Sequence, residues 1–153
     1  MANTVKTCLW FEKDALEAAE FYVTLLPGSG ITAQFSPEPE TPPLVVEFTL
    51  AGVPYMLLAA GPMFPQSEAV SIVIETEDQA ETDRLWATLL ADGGQESRCG
   101  WLKDRWGVSW QITPKEILAL MGQGGSKGAA AMAEIMTQVK LDVAKVKAAA
   151  DAA

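Results

Sequence analysis

The sequence predicts an α+β protein made of two βαβββ modules and an extra C-terminal helix. Three features of its 153 residues support this prediction. Alternating apolar and polar residues indicate strands, and apolar residues at three- and four-residue steps indicate helices. The pattern of the first half then returns at an offset of 64 residues. Such a return is typical of a duplicated supersecondary unit, so each half is expected to form the same arrangement.

The first module is predicted over residues 1–62. A strand over residues 5–11 is followed by a helix whose N-cap candidate is Asp14. Glu17, three residues later, completes the pattern of a capping box. The helix is expected to end at a Pro-Gly pair, and three β-rich segments bounded by turn residues predict three further strands. These strands cover residues 31–35, 44–50 and 54–60.

The second module is predicted over residues 63–121, and its helix repeats the first helix position by position. Asp78 and Glu81 follow Asp14 and Glu17 by 64 residues, so the same capping pattern opens both helices. A Gly-Gly pair is expected to end this helix, and strands are predicted on both sides of it. They cover residues 69–76, 96–102 and 108–113.

Residues 122–153 are predicted as a linker and C-terminal helix that belong to the same structural domain. A short helix over residues 115–121 precedes a glycine-rich stretch, 122–128, which favours a flexible linker. The alanine-rich residues 129–150 favour one helix. Six apolar residues at helical spacing along it need a partner, either the same domain or a second subunit. They are Met132, Ile135, Met136, Val139, Val143 and Val146.

Composition excludes several classes of function. The 11 basic and 20 acidic residues give a net charge of −9, which opposes binding to nucleic-acid phosphates. The chain has no histidine, which excludes Ser-His-Asp and Cys-His catalysis and most zinc sites. Cys8 and Cys99 form no CxxC motif and are expected to be free thiols. Neither a signal peptide nor a membrane-length apolar run is recognised, so a cytoplasmic protein without membrane contact is expected.

Five short segments provide a family resemblance. They are residues 8–11, 19–22, 61–64, 77–81 and 100–111, the last with the sequence Gly-Trp-Leu-Lys-Asp-Arg-Trp-Gly-Val-Ser-Trp-Gln. With the paired modules and the helical tail, these segments resemble the PhnB-like branch of the vicinal-oxygen-chelate (glyoxalase/bleomycin-resistance-like) superfamily. That branch is often labelled 3-demethylubiquinone-9 3-methyltransferase-like. The sequence does not support methyl transfer, because it lacks a glycine-rich turn between a first strand and a helix.

The resemblance implies a curved mixed-sheet cup with the helices outside and a site within the cup. In the superfamily, the first and last strands of each module supply metal ligands. These positions fall here on Thr7, Ser71 and Gln111, and near Met56 or Leu58. Hydroxyl, amide and apolar side chains are weak ligands for divalent transition metals. We therefore predict no metal and no cofactor, and a cup that binds an unidentified small molecule.

Strand alternation extends the predicted ligand site, because every second residue of a strand faces the same side. Glu75 and Glu47 are the candidates for a catalytic carboxylate, since burial would make either one a stronger base. Thr7, Ser71 and Gln111 have an alternative interpretation as ordinary strand residues that satisfy neighbouring polar groups. The complete predicted ligand site is Thr7, Leu9, Phe11, Met56, Leu58, Ser71, Val73, Glu75, Ser109 and Gln111.

Three functions stay open from the sequence. The first is a homodimeric protein that binds a small molecule in the cup without the usual metal. The second is an enzyme of lyase, isomerase or dioxygenase type that uses a metal or a Glu75 base. The third is a non-catalytic dimeric interaction protein, in which Phe11, Met56 and Leu58 pack across a collapsed cup.

Overall fold

The computed structural model describes residues 2–153, and the chain divides into two compact units. The first unit extends to Gln66 and the second begins at Ser67. Each unit contains a four-stranded mixed sheet, and the predicted duplication of an α+β module is confirmed. Within residues 2–153, no helix is long and apolar enough to cross a membrane.

The first unit has the order strand, helix and three strands. Its sheet order is β1-β4-β3-β2, in which β1 runs parallel to β4 and the other neighbours are antiparallel. The elements are β1 (Thr7–Phe11), α1 (Ala15–Tyr22), β2 (Gly30–Phe35), β3 (Val45–Leu50) and β4 (Val53–Ala59).

Helix α1 covers one face of the first sheet. The Tyr22 ring on α1 lies 5.9 Å from the Phe48 ring on β3, measured between ring centroids. Leu57 on β4 is opposite Leu9 on one side and Val46 on the other, and all three are buried. Residues facing one another across neighbouring strands share a face, so these side chains form a core beneath α1. The opposite face of the sheet, which we call its open face, has half-buried side chains on β3 and β4.

The second unit repeats this plan and adds three helices. Its sheet order is β5-β8-β7-β6, with β5 parallel to β8. Helix α2 buries Leu85, Trp86 and Leu89 on the face that contains Ile74 and Ile112. The elements are β5 (Ser71–Thr76), α2 (Gln79–Leu90), β6 (Gln95–Glu96), β7 (Trp101–Lys103), β8 (Ser109–Pro114), α3 (Lys115–Gly122), α4 (Gly125–Ile135) and α5 (Val143–Asp151).

The single strand predicted over residues 96–102 is two short strands. Between them, Cys99 and Gly100 have positive φ angles of 59° and 82°. Their N–H groups donate to the carbonyls of Gln138 and Val139 at 2.8 Å, outside the sheet. The backbone therefore leaves the ladder at this point because the tail offers it other hydrogen-bond partners.

The two identical capping patterns have different outcomes. Asp78 is an N-cap, because its side chain accepts a hydrogen bond from the Glu81 N–H at 2.8 Å. Asp14 adopts a left-handed conformation with φ of 63°, and its side chain makes no capping hydrogen bond. The predicted capping box at Asp14 is therefore wrong. A left-handed residue does not direct its side chain toward the first turn as an extended N-cap residue does.

The predicted single tail helix is also wrong. Residues 136–142 separate α4 from α5, and α4 begins inside the predicted linker. Gly128 of α4 packs against α3, because a Cβ at this position would lie only 2.8 Å from the Met121 carbonyl oxygen. The close approach of the two helices therefore requires glycine. Ile135 and Val146 of the apolar stripe are buried in a cluster within the second unit. Met132, Met136 and Val139 stay exposed.

Candidate functional site

The open face of the second sheet brings five predicted residues together. These residues lie on β5 and β8, opposite the face that α2 covers. Ser71 pairs with Ser109, and Val73 pairs with Gln111. The five residues are Ser71, Val73, Glu75, Ser109 and Gln111.

Two of these side chains are joined by a hydrogen bond. The Gln111 amide Nε2 donates to the Ser71 hydroxyl Oγ at 2.9 Å. Because the hydroxyl oxygen accepts this bond, its own proton remains available for donation to another acceptor. The pair is neutral and half-buried.

Ser109 lies beside this pair and is 1 % exposed. Its hydroxyl oxygen is buried and has no hydrogen-bond partner among residues 2–153. Nearly all buried polar atoms in folded proteins have a partner, so such a hydroxyl calls for a physical explanation.

Strand β7 extends the face with two residues that the sequence analysis missed. Trp101 pairs with Gln111, and Lys103 pairs with Ser109. The Lys103 ammonium lies 2.6 Å from the Glu68 carboxylate, and its hydrogen bond lowers the pKa of Glu68. Local sequence could not reveal these neighbours because they depend on the β7–β8 register.

The predicted residues of the first sheet are divided between its two faces. Leu9 and Phe11 are buried on the face beneath α1, and Thr7 has the same strand phase but is exposed. Met56 and Leu58 alternate with the buried Leu57, so they lie on the open face. The structure does not bring the two groups together, and the expectation that Leu9 and Phe11 line an open site is wrong.

The length of one loop explains this error. Three residues separate β1 from α1, whereas two separate β5 from α2. An offset of 64 that aligns the helices therefore places the two strands out of phase by one residue. A one-residue shift turns every side chain of a strand to the other face.

The two candidate carboxylates are not buried. Glu75 is exposed on the open face of the second sheet. Glu47 pairs across its strand with Met56 and forms an ion pair with Lys6 at 2.8 Å. Phe11 lies on the opposite face from Met56 and Leu58, so these three residues do not pack across a collapsed cup.

The side chains at the positions of the family's metal ligands do not fit a divalent transition metal. They are Thr7, Ser71, Gln111 and Met56 or Leu58, none of which supplies an imidazole, thiolate or carboxylate. Among residues 2–153, histidine, cysteine, aspartate and glutamate form no group of three that could hold an ion.

The first unit also has a cleft that the sequence analysis missed. It has a volume of about 770 Å³ and lies between α1 and a proline-rich loop. Pro37, Pro42, Pro43, Leu16 and Leu44 give it apolar walls, and carboxylates of the β1–α1 segment line its edge.

Two such units, each a four-stranded mixed sheet with a covering helix, define a protein of the glyoxalase-like, vicinal-oxygen-chelate fold. The sequence profile of one family, described as 3-demethylubiquinone-9 3-methyltransferase, matches residues 3–113. The chain therefore belongs to this PhnB-like family. No relative was found among curated proteins.

Solved structures support the same fold. The PhnB protein of Bacillus cereus is 29% identical with a TM-score of 0.66, covering 73% of this chain and 99% of its own. PA1353 of Pseudomonas aeruginosa is 23% identical with a TM-score of 0.59, covering 74% and 98%. The fosfomycin resistance protein FosX of Mesorhizobium loti is 11% identical with a TM-score of 0.53, covering 74% and 91%. The family match ends at residue 113, so the resemblance predicted for the helical tail stays a prediction.

Proposed function

We propose that this protein binds a small organic molecule at the open face of its second sheet without the metal usual in the superfamily. The observation that supports this most directly is the Gln111–Ser71 hydrogen bond. Where metal-dependent members are expected to have ligands, this chain has two neutral groups bonded to each other. Such groups can orient a ligand by hydrogen bonding but hold a transition metal poorly.

The rest of the face has the mixed character of small-molecule sites. Val73 is apolar and 51% exposed, and Trp101 is half-buried beside Gln111. Ser109, Ser71 and Gln111 add a few polar groups close together. An apolar surface with a small number of convergent polar groups is typical of sites that bind organic ligands.

Binding without catalysis is favoured over the enzyme alternative. A general base in such a site gains basicity when its carboxylate is desolvated. Glu75 is exposed, so water surrounds its carboxylate. We therefore assign Glu75 to the rim of the site, where it contacts solvent or a polar end of the ligand.

The proposal includes a cytoplasmic homodimer. Met132, Met136 and Val139 are exposed apolar residues of the tail, and a second subunit would shield them from water. Native mass spectrometry at micromolar concentration tests this assembly. A mass of one chain at all concentrations would contradict it, and a mass of two chains would support it.

Ligand binding is tested by NMR titration of the labelled protein with a library of small aromatic and aliphatic compounds. Perturbed signals are expected for Val73, Trp101 and Gln111. Val73→Glu should abolish these changes, whereas Val70→Glu, at a residue that is 58% exposed and outside β5, should preserve them. Addition of Mn²⁺ or Zn²⁺ should neither broaden nor move the same signals. A library without any hit on this face, or a metal-dependent response there, would contradict the proposal.

A further inference from the structure

We infer that the open face of the second sheet recognises the carboxylate of an organic anion through Ser71, Ser109 and Lys103, which we call the donor row. This inference rests on the proposed function and specifies the ligand class. The three residues lie on adjacent strands β5, β8 and β7, and each is directly opposite the next in register. Neighbours in such a row are about 5 Å apart at Cβ, a spacing that the two oxygens of one carboxylate can bridge.

Each member of the donor row can donate a hydrogen bond to an acceptor. Ser71 already accepts from the Gln111 amide, so its hydroxyl proton points to another group. Lys103 has three N–H donors and no acceptor. The row therefore prefers a ligand atom that accepts several hydrogen bonds, and an ionised carboxylate is acceptor-only.

Ser109 provides the independent sign of a ligand. Its hydroxyl is buried and lacks a partner among the described residues, although Ser71 and Lys103 flank it. A buried hydroxyl without a partner destabilises the folded protein, and such an atom is explained when its partner belongs to a ligand. A carboxylate oxygen bound at the donor row would accept a hydrogen bond from this hydroxyl.

Lys103 already holds a carboxylate of its own chain, that of Glu68. The Glu68 side chain lies 2.6 Å from it, with Glu68 62% exposed and Lys103 33% exposed. Exposed ion pairs of this kind contribute little net stability and exchange readily. Glu68 therefore acts as a resident competitor, which an incoming carboxylate displaces from Lys103.

The neighbouring row defines the rest of the ligand. Val73, Gln111 and Trp101 lie two residues farther along the same strands, on the same face. This row offers an apolar side chain, an amide and an aromatic ring. The ligand expected from both rows is a carboxylic acid with a flat or apolar body. Because the chain has a net charge of −9, general attraction does not favour an anion, and binding must come from these local contacts.

Benzoate and its neutral analogue benzamide test this inference by NMR titration of the full-length protein. Benzoate should bind at least about tenfold more tightly, the effect of one charge-assisted hydrogen bond. Lys103→Met should remove this preference. Lys140→Met is the matched control, because Lys140 forms a similar ion pair with Asp83 and lies outside the face. Equal affinities for the two probes would overturn the inference.

Two further variants have effects that a structural role alone does not produce. Glu68→Gln should tighten benzoate binding by roughly two- to fivefold, the range that a surface ion pair is worth. Ser109→Ala should raise the melting temperature while it weakens benzoate binding, because it removes both an unpartnered hydroxyl and a ligand contact. Unchanged benzoate affinity in both variants would overturn the inference. If benzamide binds this face and benzoate does not, the inference fails while the proposed function stands, and if neither probe nor any library compound binds there, the proposed function fails.

Discussion

Asp104 shows how one buried carboxylate can organise the turn between β7 and β8. Its side chain is 3% exposed and accepts hydrogen bonds from the Trp106 N–H, the Val108 N–H and the Trp110 indole at 2.9, 3.1 and 2.9 Å. Asp104→Ala would leave these donors without their acceptor. We expect the free energy of unfolding to fall by about 3 kcal/mol, measured by chemical denaturation.

Asp92 is the control for this prediction. Its carboxylate is exposed and forms an ion pair with Arg105 at 2.7 Å. Asp92→Asn should change the unfolding free energy by less than about 1 kcal/mol, because exposed ion pairs contribute little and asparagine tolerates the left-handed φ of 60° at this position. Similar losses in the Asp104 and Asp92 variants would show that the buried hydrogen bonds do not stabilise the turn.

The ion pair between Glu68 and Lys103 predicts how one residue makes stability depend on pH. Its pKa is lowered because Lys103 donates a hydrogen bond to the carboxylate. The stabilisation from this pair is present above the usual glutamate pKa and is lost as the pH falls through the lowered value. A carboxyl ¹³C NMR titration should show the pKa of Glu68 returning to the ordinary range in Lys103→Met. The same titration in Lys140→Met should leave it lowered, and any other pattern assigns the shift to a different group.

The first residues of α1 and α2 have the same sequence pattern but different capping geometry, which two substitutions can test. Asp78→Ala should lower the unfolding free energy by about 1 kcal/mol, because it removes the bond to the Glu81 N–H. Asp14 makes no such bond and has φ of 63°. Asp14→Gly should be neutral or stabilising, since glycine adopts this conformation without a Cβ penalty. Thermal denaturation of both variants compares them directly, and equal destabilisation would contradict the difference between the caps.

Sequence patterns predicted the elements better than their exact phase. The apolar alternation and the repeated Asp-x-x-Glu pattern located α1, α2 and most strands of both sheets. They could not show that the β1–α1 loop is one residue longer than the β5–α2 loop, which reverses the faces of Leu9 and Phe11. The Gln111–Ser71 bond depends on the pairing of strands 40 residues apart, which no local pattern fixes.

The break within the tail had a local signal that helical periodicity concealed. Apolar residues continue at helical steps through residues 136–142, so the pattern favours one helix. Asp142, however, is an N-cap candidate, and its side chain accepts a hydrogen bond from the Lys145 N–H at 3.1 Å. The side chain of Gln79 on α2 bonds the Leu141 carbonyl and the Val143 N–H, which holds this second start in place.

At the scale of the whole molecule, the tail lies outside the part of the chain that matches the family profile. The match to the family profile ends at residue 113, and the Bacillus cereus protein matches over 99% of its own length but only 73% of this chain. In this chain the tail contributes Ile135, Leu141 and Val146 to a cluster that also buries Ile117 and Leu120. The tail therefore covers α3 and bonds the segment between β6 and β7, but it adds no strand to either sheet.

Removal of residues 123–153 tests this role. We expect both sheets to keep their NMR signatures, because the tail adds no strand to either sheet. The exposed Ile117 and Leu120 should nevertheless cause the shortened chain to self-associate, which light scattering after size exclusion detects. Ile117→Gln combined with Leu120→Gln in the shortened chain should restore a single molecular mass in the same measurement. The two substitutions replace the apolar surface that the tail normally covers with polar side chains. A shortened chain without sheet signals would instead make the tail part of the folding core.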